Sequence, residues 1–365
     1  MSQRLLVATR KGLFVFGSTA QGWQLQQRHF LGDHVCQLLA DPRDGRWYAA
    51  LDLGHFGAKL QLSEDGGGRW RELPVPAFGE GEVVHLGDGK APRPATLSKL
   101  WALAAGGPEQ PERLWAGTIP GGLFRSDDGG ASWQLNRPLW DQPERQDWGG
   151  GGYDEPGIHS ICVNPRDSQR LAVAISTGGI WRSADGGDSW VQSAQGMIAE
   201  YMPPDRREEG NVQDVHCLVQ CRADPSVFWV QHHCGAYLSR HGGEQWQSLT
   251  VPPSVFGFAV GCHPSQPGTA WFVPAIKDEK RYPVDGRLVV ARTRDFGASF
   301  ETLSAGLPDD ESYDLVYRHG LAIDQTGERL AFGSTTGGLW LSEDGGDHWQ
   351  ALPARLPPVY VVAFA

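Results

Sequence analysis

The sequence predicts an all-β protein, a seven-bladed β-propeller whose ring is closed by its own C-terminal strand. Three observations predict it. An octapeptide recurs six times, a strand-like heptapeptide recurs seven times, and a strand missing at the start of the chain is found at its end. Helical periodicity is nearly absent, and short alternating runs bounded by Gly, Pro and Asp dominate.

The octapeptide reads SEDGGGRW from Ser63, SDDGGASW from Ser126, SADGGDSW from Ser183, SRHGGEQW from Ser239, TRDFGASF from Thr293 and SEDGGDHW from Ser342. Ser/Thr-x-Asp-x-Gly-x-x-Trp describes a hairpin turn. The carboxylate accepts N–H bonds within the turn, glycine takes a positive φ without steric cost, and the closing tryptophan lays a ring over the sheet. A residue repeated in six places is not one active site, so Asp65, Asp128, Asp185, Asp295 and Asp344 are expected to be structural.

Each octapeptide follows a strand: RWYAALD from Arg46, RLWAGTI from Arg113, RLAVAIS from Arg170, VFWVQHH from Val227, TAWFVPA from Thr269 and RLAFGST from Arg329. A seventh copy, RLLVATR, starts at Arg4 and is followed by a worn turn, Gly17 to Trp23. Seven copies give seven blades. The first begins at its second strand, and PVYVVAFA (358–365) follows the last octapeptide, so the C-terminus supplies the missing innermost strand. Ring closure leaves no exposed sheet edge. The whole chain, 1–365, is thereby accounted for as a single propeller domain.

These octapeptides resemble the Asp-box, or bacterial neuraminidase repeat, of the sialidase-like superfamily. That resemblance implies a propeller with the box between the third and fourth strands of each blade. It does not fix a function: sialidases, xyloglucanase-type glycosidases, sortilin-type receptors and the photosystem II assembly propeller carry it.

Composition narrows the partners. The net charge is −11 and the pI about 5.5, with no basic stripe, which argues against nucleic acid and against an anionic membrane. No apolar run approaches a spanning length, and the first residues lack a signal-peptide pattern. Six scattered cysteines without a CxxC pair suit a reducing cytoplasm, and a small molecule is the expected ligand.

The long insertions mark one face: 74–97, 138–158, 194–215 and 304–316 between blades, and 274–286 within one. Histidines gather there. His34, His159, His216 and His319 sit at matched register near the starts of four innermost strands, ten to twelve residues before the next strand repeat, and His55, His232 and His233 occupy adjoining loops. Imidazoles from separate rigid strands can converge on one ion, so His34, His159, His216, His319, His232 and His233 are expected metal ligands for Zn, Fe or Cu. Asp33, Glu155, Asp214 and Asp314 lie close enough in sequence to orient them. A four-histidine iron centre on propeller inner strands also resembles the carotenoid-cleavage oxygenases.

His55, Lys99, Glu200, Tyr201 and Arg318 are the catalytic candidates, with Lys99, Arg10 and Arg318 suited to an anionic substrate. The Gly-rich WGGGGYDEPG (148–157) lacks the lysine of a phosphate loop. Three functions follow as expectations: a metal-dependent enzyme acting on a small molecule, a sialidase or other glycosidase, and a non-catalytic scaffold. A sialidase needs an arginine triad, for which only Arg10, Arg281 and Arg318 offer themselves, and its first-blade Arg-Ile-Pro-like motif is replaced here by ATRKGLF.

Overall fold

A computed structural model describes residues 2–85 and 91–365; of the long insertion 74–97, residues 86–90 lie outside the described part. Seven four-stranded antiparallel sheets form the seven blades of the propeller. Blade 1 comprises Arg4–Thr9, Gly12–Thr19 and Gly22–His29, and its innermost strand is the C-terminal Val359–Phe364. That strand pairs antiparallel with the N-terminal one, Leu5 opposite Phe364 and Val7 opposite Val362. Blades 2 to 7 have the innermost strands Val35–Ala40, Lys99–Ala105, Ile158–Val163, Val215–Gln220, Gly257–Cys262 and Leu321–Ile323.

The core lies between blades rather than within one central cluster. Blades 7 and 1 bury Leu339, Leu341, Leu5, Val7, Trp23 and Val362 together, so the strand that closes the ring is also packed from both sides. Burying such aliphatic and aromatic groups is worth about 1.5–3 kcal/mol each.

The octapeptides form the turns after the third strand, and five of the six use one hydrogen-bond scheme. In blade 4, the Ser183 hydroxyl donates to Asp185 Oδ1 at 2.8 Å and accepts from Gly187 N at 2.8 Å. Asp185 also accepts from Ser189 N and Ser189 Oγ, at 2.8 and 2.6 Å. Gly186 and Gly187 take φ of 73° and 94°, which explains the glycine pair. Where His241 replaces the aspartate, Ser239 still accepts from Gly243 N at 3.0 Å, so the turn survives on its serine alone. In a four-stranded meander the innermost strand starts on the face opposite these turns. The channel mouth at those strand starts is therefore the face away from the octapeptides.

Candidate functional site at the channel mouth

All seven blades contribute to the mouth, which has two adjoining parts: a histidine–carboxylate cluster over blade 5 and a cationic, aromatic cavity over blades 3 and 7. Between them runs a set of bonds that stitches the channel shut. His319, just before the innermost strand of blade 7, donates from Nε2 to the carbonyl of His159 in blade 4 at 2.8 Å. Its Nδ1 faces the Gln37 amide at 3.3 Å, and Gln37 also donates to the Trp101 carbonyl at 2.7 Å. His159 Nε2 donates to Val215 O at 2.7 Å and His216 Nδ1 to Gly257 O at 2.6 Å, each reaching the next blade. Arg318 Nε donates to His216 O at 2.8 Å. Each of these rings commits one N–H to a carbonyl. Burial pushes His159 well below the usual histidine range and His319 down to about 4.

Only one group of three among the described residues brings histidine, cysteine or carboxylate ligand atoms all within 4.8 Å of one another: Asp214, His216 and His233. His216 Nε2 stands 3.8 Å and His233 Nδ1 3.5 Å from Asp214 Oδ2. Asp214 immediately precedes the innermost strand of blade 5, whose pairing slips by one residue at His216, and the two side chains meet there. His233 sits in the turn after the second strand, where its Nε2 is also 3.3 Å from Asp278 Oδ1. Asp214 is buried; burial alone would raise its carboxyl, but the His216, His232 and His233 rings outweigh that and hold it below the usual range. Its Oδ1 has no hydrogen-bond partner. Gly257 O engages His216 Nδ1, which leaves Nε2 as the ring nitrogen turned toward the Asp214 carboxylate. A backbone carbonyl fixing the other ring nitrogen is how ligating histidines are commonly held.

The other sequence candidates lie around this cluster. His232, adjacent to His233, points the other way: it is fully buried, its Nδ1 accepts from Cys234 N at 3.0 Å, and burial pushes its pKa down to about 3. His34 lies 3.6 Å from Asp52 and against the Tyr360 ring at 4.4 Å. His55 is exposed on a short 3-10 turn beside Phe56. Tyr201 packs edge-on against His233 at 5.6 Å, and its hydroxyl bonds the Val212 carbonyl. Glu200 pairs with Lys277, which in turn reaches Cys234. Of the orienting carboxylates, Asp214 is in the cluster itself. Glu155 pairs with Arg93, and Asp314 holds Ser312, Ser334 and Thr336 on the blade 7 side. All six cysteines are free thiols.

The second part of the mouth is a cavity of about 220 Å³. Lys99 and Arg318, both expected near a substrate, line it with Arg281, and so do Trp101, Tyr153, Phe258, Tyr317 and Tyr360. Arg10 lines a separate pocket with His34 and Asp52. The aromatic wall escaped the sequence reading. A signal existed: Phe258 lies eleven residues before the strand repeat at Thr269, as His159 does before Arg170 and His216 before Val227. An aromatic at that register reads as core. Tyr153 comes from the Gly-rich stretch 148–157, whose glycines fold it back over Trp101 at 4.9 Å between centroids. Phe258 joins the two parts, stacking on His216 at 4.3 Å and lying 5.5 Å from Arg318.

No family model matches the chain, and no curated protein does. Solved structures match in fold. An ancestral GH74 enzyme is 18% identical with a TM-score of 0.59, over 87% of this chain and only 38% of its own length. YCF48 from Cyanidioschyzon merolae is 13% identical with a TM-score of 0.56, over 89% of this chain and 87% of its own. A functionally unknown protein from Desulfotomaculum acetoxidans is 10% identical with a TM-score of 0.59, over 100% and 99% of the two chains. At such identities the likeness is one of fold. No helix among the described residues is long and apolar enough to cross a membrane.

Proposed function

We propose that the channel mouth is the active site of a metal-dependent enzyme acting on a small molecule, with Asp214, His216 and His233 as the metal ligands. The observation that carries this reading is the grouping itself: His216 Nε2 and His233 Nδ1 stand 3.8 and 3.5 Å from the same oxygen of Asp214, with all three ligand atoms within 4.8 Å of one another. Two imidazoles and one carboxylate suit Zn, Fe or another divalent transition metal. Three protein ligands leave coordination positions open, and water bound there is acidified toward neutrality, which supplies a nucleophile or base. This narrows the ligand set expected from sequence. His159 and His319 spend their Nε2 hydrogens on carbonyls, and His232 faces into the blade.

The Asp-box resemblance and the GH74 fold likeness suggest a glycosidase instead. That chemistry takes a pair of carboxyl groups flanking the scissile bond. Among the described residues no Asp or Glu lines the mouth cavity. A peptide-binding scaffold is the remaining reading. YCF48 has been solved bound to D1 peptide, 17% identical to this chain with a TM-score of 0.52, over 87% of this chain and 81% of its own. Exposed Leu31 and Phe56 offer this chain an apolar rim.

Elemental analysis of tag-free protein decides between them. One equivalent of transition metal in the wild type, or taken up from a Zn, Fe, Cu, Mn and Ni panel, with loss in Asp214→Asn and in His233→Ala, is the expected result. A folded wild type that neither contains nor takes up metal overturns it.

A further inference from the structure

We propose that the cavity beside the histidine cluster binds a small organic anion, with its charged group against Lys99 and Arg318 and its body among Trp101, Tyr153 and Tyr360. The inference deepens the enzyme reading by naming the class of substrate, and it rests on taking the mouth as the active site; the observations behind it are separate.

The first is unpaired positive charge. Lys99 is 5% exposed, and among the described residues its ammonium has one hydrogen bond, to the Tyr153 hydroxyl at 3.2 Å. Arg318 spends Nε on a carbonyl, and its two terminal nitrogens make no hydrogen bond among the described residues. Neither has a carboxylate within ion-pair distance among those residues. The nearest acids are occupied elsewhere, Asp52 facing His34 and Asp214 facing His216 and His233. Burial presses on the Arg318 guanidinium, lowering its pKa. Folded proteins rarely leave buried cations without a counter-charge. Here a buried lysine and a half-buried arginine stand in one cavity, joined by Arg281, in a chain whose net charge is −11. No acid among the described residues lines the cavity, and an anionic ligand would supply that counter-charge.

The second is the apolar wall. Lys99 lies 5.4 Å over the Tyr153 ring and 5.7 Å over Tyr360, and Arg318 lies 4.6 Å over Trp101. Cation–π contacts of this kind keep the charges desolvated and in place without satisfying their donors. They also present flat carbon surface toward the cavity. A volume of about 220 Å³ corresponds to roughly seven waters, the space of a single-ring carboxylate and too little for an oligosaccharide. A free anion is therefore favoured over a polymer end, with the anionic group drawn inward to the cations and the ring toward the aromatic wall.

Isothermal titration of metal-stripped protein with benzoate, phenylphosphonate and the neutral benzamide tests this. The expected result is that benzoate or phenylphosphonate binds to wild type and raises its melting temperature, while benzamide binds at least tenfold more weakly. Lys99→Met should weaken the anion at least tenfold and leave benzamide unchanged. Because Arg318 also bridges to blade 5, Arg281→Gln serves as a second variant outside that bridge, with a smaller loss expected. Equal affinity for benzoate and benzamide, no heat from either anion with folded wild type, or unchanged anion binding in Lys99→Met each overturns the proposal. Repeating the titration on Asp214→Asn separates the two readings. Retained binding there with no metal in the wild type leaves the anion cavity standing and removes the metal. Metal in the wild type without anion binding does the reverse.

Discussion

His319 offers a prediction whose size follows from its surroundings. The ring sits between two fixed partners: Nε2 donates to His159 O at 2.8 Å, and Nδ1 meets the Gln37 amide, itself a donor, at 3.3 Å. Protonating Nδ1 would set N–H against N–H beside Arg318 in a half-buried site. Burial, opposed only in part by the bond to His159, lowers the pKa from 6.5 to about 4. Above pH 6.5 the folded and unfolded chains both hold this ring neutral. Between 6.5 and about 4 the unfolded chain binds a proton that the folded ring refuses, so stability falls as pH falls through that window. At about 1.4 kcal/mol per pKa unit the loss is at most about 3 kcal/mol, with channel water along one edge of the ring reducing it. His319→Gln keeps a side-chain N–H for the His159 carbonyl and removes the titration. Urea unfolding of both proteins at pH 7, 6, 5 and 4 should give curves that converge as pH falls, the wild type losing about 2–3 kcal/mol more than the variant. The octapeptide carboxylates, whose pKa values are depressed below 3.8, begin to lower stability near pH 4 in both proteins alike, so they cancel in the difference. Parallel stability curves, or a His319 ring resonance titrating near 6.5 in the folded protein, would refute the reasoning.

Two further outcomes concern the frame. Ser183→Ala removes the hydroxyl that both accepts from Gly187 N and donates to Asp185, so it should cost about 1–3 kcal/mol in chemical denaturation while metal content stays unchanged; loss of metal with unchanged stability would contradict the separation of the two faces. Gly333→Ala would bring a methyl within 2.4 Å of Val359 Cγ1, against the strand that closes the ring. A destabilisation of about 1–3 kcal/mol is expected, with earlier proteolysis at the C-terminus, and a variant with wild-type stability would show that the closing strand is not held against blade 7 as described.

The frame was legible because it is periodic. One turn written six times and one strand written seven times specify blade number and the position of the missing strand, and the offset from each strand repeat marks equivalent positions on the innermost strands. The same logic assigned His159 and His216 to the mouth. It stops short of the site for physical reasons visible in three places. His232 and His233 are consecutive, so only one can face the cluster, and the turn closed by Cys234 N on His232 decides which. Arg318 and His319 precede a three-residue innermost strand, Leu321–Ile323, and reach across the channel to blades 5 and 4, a contact between segments a hundred or more residues apart that no local pattern encodes. Tyr153 stands in a glycine stretch whose path depends on what it folds over.

The distribution of charge ties these places together. Three ring N–H groups and one guanidinium N–H are given to backbone carbonyls of other blades, so the channel is held closed by bonds to carbonyls rather than by ion pairs. What is left over at the mouth is unbalanced in opposite senses on either side of Phe258. On one side the Asp214 carboxylate leaves Oδ1 without a hydrogen-bond partner and has two imidazole nitrogens 3.5 and 3.8 Å from Oδ2, the donor types that would suit a cation. On the other, an ammonium and a guanidinium face no carboxylate among the described residues, which calls for an anion. Groups of opposite demand gathered on either side of one ring in a channel mouth are what a functional site, rather than a packed core, arranges. A metal centre working on an anionic ligand supplies both at once.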